Sequence, residues 1–131
     1  MWRAGGMSMG FCTAAVAQFC RDLGVAPAQP QEPLLCLELP DAGVLQLERL
    51  AGQLTLWLDL YVHGAMLERA MRCALRQVYE HQACGCLLRC GLLANDRLVL
   101  LAGLDEHGLT EQALHRAYRL LMRVRTEVLA A

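Results

Sequence analysis

The sequence predicts an α+β fold in which three helices pack on an antiparallel sheet of about five strands, in the order α-β-β-β-α-β-β-α. The first observation is that the spacing of apolar residues switches between about 3.6, typical of helices, and two, typical of strands. The second is that the strand-like segments form one group of three and one of two, which favours an antiparallel sheet with helices packed on it. A length of 131 residues fits a single domain over 1–131.

The first helix is predicted from Phe11 to Leu23. Apolar residues recur there at helical spacing, and Gly24 follows at the position where a left-handed residue commonly ends a helix. The next segment, Ala26 to Pro33, contains three prolines, which cannot continue a helix, so we interpret it as a loop within the domain. Residues 1–10 precede the helix and are expected to be disordered.

Three strands are predicted next, because leucines alternate with other residue types. The first covers Leu35 to Leu39, the second Leu45 to Glu48, and the third Leu54 to Tyr61. Pro40–Gly43 and Ala51–Gly52 supply the turn residues between them. The third strand has only leucines on one face and polar or aromatic residues on the other, which is typical of an amphipathic strand.

The second half of the chain repeats the change of period. A helix is predicted from Ala65 to Gln82, and a hairpin is predicted from strands at Leu87 to Leu93 and Arg97 to Leu101. Thr110 is a suitable N-cap for the last helix, whose apolar stripe continues to Val128.

Composition indicates a protein that associates with other polypeptides. Hydrophobic residues make up 56% of the chain, whereas ordinary globular chains reach about 45–50% even when Gly is included. Such a surplus favours an exposed apolar patch, and a dimer would cover part of it. The net charge of −1 argues against nucleic acid as a partner. All 12 basic residues are Arg, and neither Lys nor Ile occurs, which we interpret as the codon bias of a GC-rich bacterial genome.

The residue patterns that support catalysis are missing from the sequence, and we expect no enzyme and no cofactor. The chain contains neither a Walker motif nor a dinucleotide fingerprint. Ser8 is the only serine and has no glycine elbow around it. The row Arg69, Arg72 and Arg76 is interpreted as a solvated helix face that is also able to pair with an acidic partner.

A cysteine cluster is the main chemical alternative. His81 with Cys84, Cys86 and Cys90 provides enough ligands for tetrahedral zinc. Zinc knuckles favour two residues between paired cysteines, however, and these three share strand parity with Leu88. We therefore predict buried thiols and no metal site, and a zinc or thiol redox role remains open.

Cysteine count and hydropathy also indicate location. Seven cysteines are an odd number and lack the spacing of a secreted disulfide framework, so reduced thiols in a cytosol fit better. The most apolar strand-like run, Leu54 to Val62, contains Asp59 and is far shorter than the roughly 20 residues that span a bilayer. We expect a cytoplasmic protein with no membrane partner.

The order of these segments and their amino-acid sequences resemble those of a known family. Over about Phe11 to Val128 the chain resembles the class I chaperones of bacterial type III secretion, which include the chaperone of the translocated intimin receptor. The resemblance depends on the succession of elements and on the segments Cys20–Gly24, Leu34–Leu39, Gln53–Leu58, Met71–Val78 and Asp96–Leu100.

The resemblance implies a cytoplasmic homodimer without enzymatic activity. Such a chaperone binds the N-terminal chaperone-binding segment of a secreted effector or translocator, keeps it soluble and competent for secretion, and meets the secretion ATPase through the complex. A related role, as a chaperone-like regulator of secretion gene expression, is not separated from this one by the sequence.

The resemblance also implies two sets of site residues. The second helix and a neighbouring strand form the dimer interface in the family, which here points to Leu67, Met71, Leu75 and Val78. Apolar patches on the first helix and the sheet receive the partner, together with an added strand. The candidates for partner binding are Val16, Phe19, Leu45, Leu47 and Trp57.

Overall fold

The computed structural model describes residues 14–25, 34–40, 42–81, 86–94 and 97–131. The first helix, α1, occupies residues 14–23 within the described part of the chain. The elements that follow are β1 (Leu34–Leu39), β2 (Gly43–Leu50), β3 (Gln53–Tyr61), a 3-10 turn (Gly64–Met66), α2 (Leu67–Glu80), β4 (Leu87–Leu93), β5 (Arg97–Asp105) and α3 (Glu111–Ala130). The predicted α+β class and element order are confirmed. The expected disorder of residues 1–10, the predicted helix start at Phe11, the predicted loop Ala26–Pro33 and Cys84 lie outside the described residues.

The sheet has the strand order β1-β2-β3-β5-β4, and every neighbouring pair is antiparallel. β3 is central because it pairs with β2 on one side and with β5 on the other, and β1 and β4 are the edges. β5 continues to Asp105, beyond the predicted end at Leu101. Ala102 and Leu104 maintain the buried alternation and pair with β3, and this pairing extends the strand.

The turn between β2 and β3 is a two-residue hairpin. Ala51 and Gly52 have φ angles of 55° and 79°, so both lie in the left-handed region, and Leu50 pairs directly with Gln53. Two positive φ values in succession match the twist of the flanking strands in a hairpin. Gly adopts such a φ without strain, whereas Ala51 does so at a cost.

The core lies between the helices and one face of the sheet, called here the inner face. Inner-face leucines from the three consecutive strands β1 to β3 and from β5 are buried together with residues of α1 and α3. The largest fully buried side chains are Phe19, Leu45, Leu47, Leu54, Leu56, Leu58, Leu98, Leu100, Leu114 and Leu121. α3 begins where the sequence predicts, because Thr110 Oγ1 accepts a hydrogen bond of 3.1 Å from the Ala113 backbone N–H.

α1 is held onto α3 by one aromatic cluster and one polar contact. The Phe19 ring meets the rings of His115 and Tyr118 edge to face, with centroid distances of 5.0 and 5.7 Å. At the edge of this cluster, His115 Nε2 lies 2.8 Å from Asp22 Oδ2. The hydrogen bond from His115 lowers the pKa of the Asp22 carboxyl below its usual range, with a further contribution from Gln18. α1 therefore covers the inner face as part of the helical layer.

Candidate partner-binding surfaces

The opposite face of the sheet, called here the outer face, has Trp57 near its centre. Trp57 is opposite Gln46 of β2 and Leu101 of β5, and Leu101 is in turn opposite Arg89 of β4. Trp57 and Leu101 are half-buried, although none of the described helices packs over them in the way that α3 covers the inner face. The outer face thus carries partly accessible apolar surface in the middle of the sheet.

A shallow hollow of about 460 Å³ lies beside Trp57. Gly103 of β5 pairs with Thr55 of β3, and the missing side chain of Gly103 and the small one of Thr55 leave space next to the larger Trp57, Leu87 and Leu101. The Trp57 indole Nε1 is buried and has no hydrogen-bond partner among the described residues. A buried N–H group without an acceptor is unfavourable, so this side chain is unsatisfied in the isolated chain.

One end of the outer face is charged and paired. Arg97 of β5 donates a hydrogen bond to the carboxylate of Asp59 on β3, and its guanidinium lies 5.9 Å from the centre of the Tyr61 ring. The residues are cross-strand neighbours, since Asp59 pairs with Val99 and Tyr61 pairs with Arg97. The hollow beside Trp57 is more mixed, because its lining includes the apolar Trp57, Leu87 and Leu101 together with Glu48 and Arg89.

β1 offers an edge to an incoming strand. All of its register partners belong to β2, and no other described strand pairs with it. Its outward side chains are Leu34, which is 47% exposed, followed by Cys36 and Glu38. An edge strand with unpaired backbone groups is a template for a further strand. This geometry fits the strand addition that the resemblance implies for the partner.

α2 and β4 pack together, and both expose apolar side chains, of which Leu87 and Leu93 have the parity of the outer face. Leu75 is 54% and Tyr79 is 75% exposed, and their spacing of four residues puts them on one face of α2. β4 exposes Leu87, Leu92 and Leu93. Several exposed large apolar residues on two elements that pack together are typical of an interaction surface.

The structure divides the predicted interface residues of α2 into two groups. Leu67, Met71 and Val78 are half-buried and pack against the core of their own chain. Leu75 alone among the four is exposed. Of the predicted set, Leu75 is therefore the residue with most surface available to a second subunit.

Four of the five predicted partner-binding residues are core residues. Val16, Phe19, Leu45 and Leu47 are at most 2% exposed. Leu45 and Leu47 share the inward parity of β2, and the α1 stripe that contains Val16 and Phe19 faces the same interior. These four have almost no exposed surface in the described chain, and their role as contact residues remains a prediction. Trp57, on the outer face, is the one that retains accessible surface.

The cysteine cluster is only partly described. Cys86 and Cys90 are half-buried and pack against the core, as their parity with Leu88 predicts, while Cys84 lies outside the described residues. Burial raises the pKa of the Cys90 thiol, as it does for Cys20 and Cys73. Within the described ranges, no group of three His, Cys, Asp or Glu residues is arranged to hold a metal ion.

Solved structures with this fold define the class. The chain superposes with a TM-score of 0.68 on a chain of the HopA1-SchA chaperone-effector complex, at 19% identity over 93% of this chain and 96% of that one. It superposes with a TM-score of 0.66 on a chain of the heterodimeric ExoU-SpcU complex from the type III secretion system of Pseudomonas aeruginosa, at 17% identity over 88% and 95%. The chain therefore has the fold of a chain found in a chaperone-effector complex and of a chain found in a complex from a type III secretion system.

Sequence comparison then identifies the family. The model of the type III secretory system chaperone SycN matches residues 11–129. The chain is 39% identical over 122 residues to the chaperone protein SycN of Yersinia enterocolitica, which covers 93% of this chain and 99% of that protein. The chain belongs to this family of type III secretion chaperones, and the resemblance stated from the sequence is confirmed. No helix in the described parts of the chain is long and apolar enough to cross a membrane.

Proposed function

We propose that this protein is a cytoplasmic bacterial chaperone that binds the N-terminal segment of a type III secreted effector or translocator, without catalysing a reaction. Membership of the SycN family supports the chaperone role, and the neighbours of the same fold include a chaperone-effector complex. The observation that carries the proposal is an open sheet: no described strand pairs with the outer edge of β1, and Trp57 is half-covered on the outer face.

The client binds in extended form in this proposal. Its backbone adds to the β1 edge, where main-chain hydrogen bonds provide affinity without demanding a particular sequence. One apolar client side chain occupies the hollow beside Trp57, bounded by Leu87 and Leu101. A small rotation of the indole then brings its N–H to a carbonyl of the client and satisfies the donor that the isolated chain leaves unpaired.

The chaperone works by mass action. Binding the unfolded segment stabilises its unfolded form by RT ln(1 + [L]/Kd), so the client is kept from folding and from aggregating. No nucleotide is needed for this step. The surface of the complex then becomes available to the secretion ATPase.

The chaperone pairs with a second copy of itself through α2. Leu75 lies at the centre of this contact, above the half-buried Leu67, Met71 and Val78 of the same helix. Tyr79 lies one turn further on and extends the apolar surface. A two-fold contact of this kind uses the same patch on both subunits.

The client test uses the tagged protein in its own bacterium under conditions that induce secretion. A secreted protein should be recovered with it, and recovery should stop when the N-terminal region of that protein is deleted. Trp57→Ala should lower the affinity for the client segment about tenfold or more, because truncation of a central aromatic residue commonly costs at least about 2 kcal/mol of binding. The matched control is Tyr61→Ala, on the same strand and face but 76% exposed, which should leave affinity nearly unchanged. Equal losses in the two variants would remove Trp57 from the site, and failure to recover any secreted protein would contradict the client proposal.

The pairing test is light scattering of the purified protein. Wild type should have the mass of a dimer, and Leu75→Arg should have the mass of a monomer, because an unpaired charge in an apolar contact is strongly unfavourable. Leu129→Arg, on a residue of α3 that is 45% exposed, is the control and should stay dimeric. A monomeric wild type would show that the α2 surface is not used for self-association and requires a different subunit.

A further inference from the structure

A second groove lies along α3, on the helical side of the sheet and away from the outer face. It has a volume of about 390 Å³ and is bounded by one side of α3, by Leu104 near the end of β5 and by Cys86 just before β4. Its floor is apolar, since Leu104, Ala117 and Leu120 line it. Its rim is basic, and it is formed by Arg116, Arg119 and Arg123. We call this feature the α3 groove.

The three rim arginines form no ion pair in the described part of the chain, although Arg116 and Arg119 also border a neighbouring hollow that contains Asp22 and Glu111. They are exposed, and none of them forms an ion pair or a side-chain hydrogen bond with another residue in the described part of the chain. By contrast, Arg49, Arg72 and Arg97 each pair with a carboxylate. Like charges three and four residues apart on a helix repel each other. The rim is therefore a site where an anionic partner relieves repulsion within α3.

We propose that the α3 groove binds an acidic amphipathic segment of a partner polypeptide. Apolar side chains of that segment lie on the floor, and its carboxylates accept paired hydrogen bonds from Arg116, Arg119 and Arg123. Guanidinium groups are suited to this role because their planar fork matches a carboxylate. An apolar floor below a basic rim is complementary to such a segment, whereas a nucleic acid or an anionic membrane needs only the charges.

The sequence of the chain itself favours a partner over an internal occupant. Residues 1–13 contain Arg3 and no carboxylate, and residues 26–33 contain Glu32 as their only charge. Neither segment supplies the charges that match three arginines. The groove is also independent of the proposed client site, because its floor belongs to the inner face and α3, while the Trp57 hollow belongs to the outer face.

α2 provides an internal control for the test. Arg69, Arg72 and Arg76 are exposed and have the same three-and-four spacing as the α3 row. Arg72, however, is paired with Glu68 at 2.7 Å, and the small hollow at this row is lined by Ala65, Glu68, Arg69 and Arg72, without leucine. Replacing either row removes three positive charges from the protein. The two variants should therefore differ in peptide affinity only if the peptide binds specifically in the α3 groove.

The experiment measures fluorescence anisotropy with the full-length protein and a labelled peptide of Leu and Glu in heptad spacing. The wild type should bind this peptide at least about tenfold more tightly than a peptide with Gln in place of every Glu, because charge-assisted hydrogen bonds are lost. The triple variant Arg116→Gln, Arg119→Gln, Arg123→Gln should lose about tenfold or more in affinity. The triple variant Arg69→Gln, Arg72→Gln, Arg76→Gln should bind like wild type.

A second variant keeps the test sharp if the arginine triple variant folds poorly. Ala113→Phe places a large side chain in the groove from a half-buried position and should block the peptide while the three arginines remain. Equal losses in the two arginine triple variants, or equal affinity for the Glu and Gln peptides, would reduce the effect to non-specific charge and overturn the proposal. Binding to vesicles of phosphatidylglycerol and phosphatidylcholine that needs Arg116, Arg119 and Arg123, without binding of the peptide, would assign the groove to lipid instead. Capture of the secreted client should be unchanged in the α3 variants, so failure here is separate from failure of the proposed function.

Discussion

The two faces of the sheet are built from the same strands and differ in what covers them. On β3, Leu56 and Leu58 point inward and have no exposed surface, while Trp57 between them points outward and stays half-covered. Among the described residues, no polar or charged residue is fully buried, so apolar packing closes most of the inner face, with the Arg49–Glu106 ion pair as a poorly exposed polar contact. The outer face instead combines a paired Asp59 and Arg97 with the hollow at Trp57.

Successive side chains of a strand point to opposite faces of the sheet. Residues that stabilise the fold therefore alternate along the strand with residues that can contact a partner. Inward residues are fixed by the helices of the same chain, and changing them alters folding. Outward residues with accessible surface, such as Trp57, are available to a partner, whereas the outward Val99 is buried. Charges that remain paired on the outer face, such as Asp59 with Arg97, limit the apolar surface that would otherwise promote aggregation.

Removing one inward leucine should have the largest effect. Leu56→Ala should lower the free energy of unfolding by about 2–5 kcal/mol, because it leaves a cavity in a packed interior. Urea unfolding followed by circular dichroism measures this loss. Thr55→Ala, the neighbouring outward position, is the control and should change stability by about 0.5 kcal/mol or less. Similar losses at both positions would contradict the division into two faces.

The next two predictions compare an ion pair on the inner face of the sheet with one on the outer face. In each pair, the carboxylate is replaced by its amide. Arg49 has the parity of the inner face, and its guanidinium lies 3.1 Å from Glu106, with side-chain exposures of only 9% and 15%. Glu106→Gln should cost about 1–3 kcal/mol, because it leaves a poorly solvated charge without its carboxylate.

The outer-face counterpart is Asp59→Asn, which weakens the pair with Arg97, where the exposures are 36% for Arg97 and 24% for Asp59. We expect a loss of about 0–1 kcal/mol from this better-solvated pair, measured in the same urea experiment. If Asp59→Asn lowers the free energy of unfolding more than Glu106→Gln does, shielding from water does not determine the strength of these ion pairs.

The smallest effect concerns the attachment of α1 to the helical layer. The pKa of Asp22 is lowered in the folded state by its hydrogen bond to His115, so its contribution is present above the unfolded-state pKa of about 4. The contribution is lost as the pH falls through the lower folded-state pKa. Wild type should therefore be more stable than Asp22→Asn at pH near 6, and the difference should shrink toward pH 3, as measured by urea unfolding at each pH. A difference that stays constant with pH would show that the carboxylate charge plays no part.

Local patterns in the sequence predict the elements well because each depends on the spacing of neighbouring residues. They do not distinguish core from contact surface: the apolar stripe of α1 that contains Val16 and Phe19 is equally compatible with either, and only the position of α3 against it decides. They also do not place Leu101 and Gly103 beside Trp57, since the pairing of β3 with β5 joins distant parts of the chain.

The two arginine rows show the same limit on prediction. Arg69, Arg72 and Arg76 have the spacing of Arg116, Arg119 and Arg123, so the spacing alone does not distinguish the two rows. Leu104 and Cys86 make the second row the rim of a groove, and both come from other elements. One difference between the rows is visible in the sequence. Glu68 lies one turn before Arg72 and pairs with it, whereas the residue one turn before Arg119 is not a carboxylate.

The central position of β3 also sets an order of assembly during synthesis. Its pairing with β5 brings Gln53 opposite Asp105, which is distant in sequence, whereas β1, β2 and β3 are connected by short turns. As the ribosome extends the chain, these three strands emerge before β5 and α3, and their inward leucines stay exposed to water until β5 and α3 cover them. Contacts between such distant positions form late and slow the folding of a domain. Until its own C-terminal helix is complete, the nascent chaperone exposes the same kind of surface that it is proposed to protect in its client.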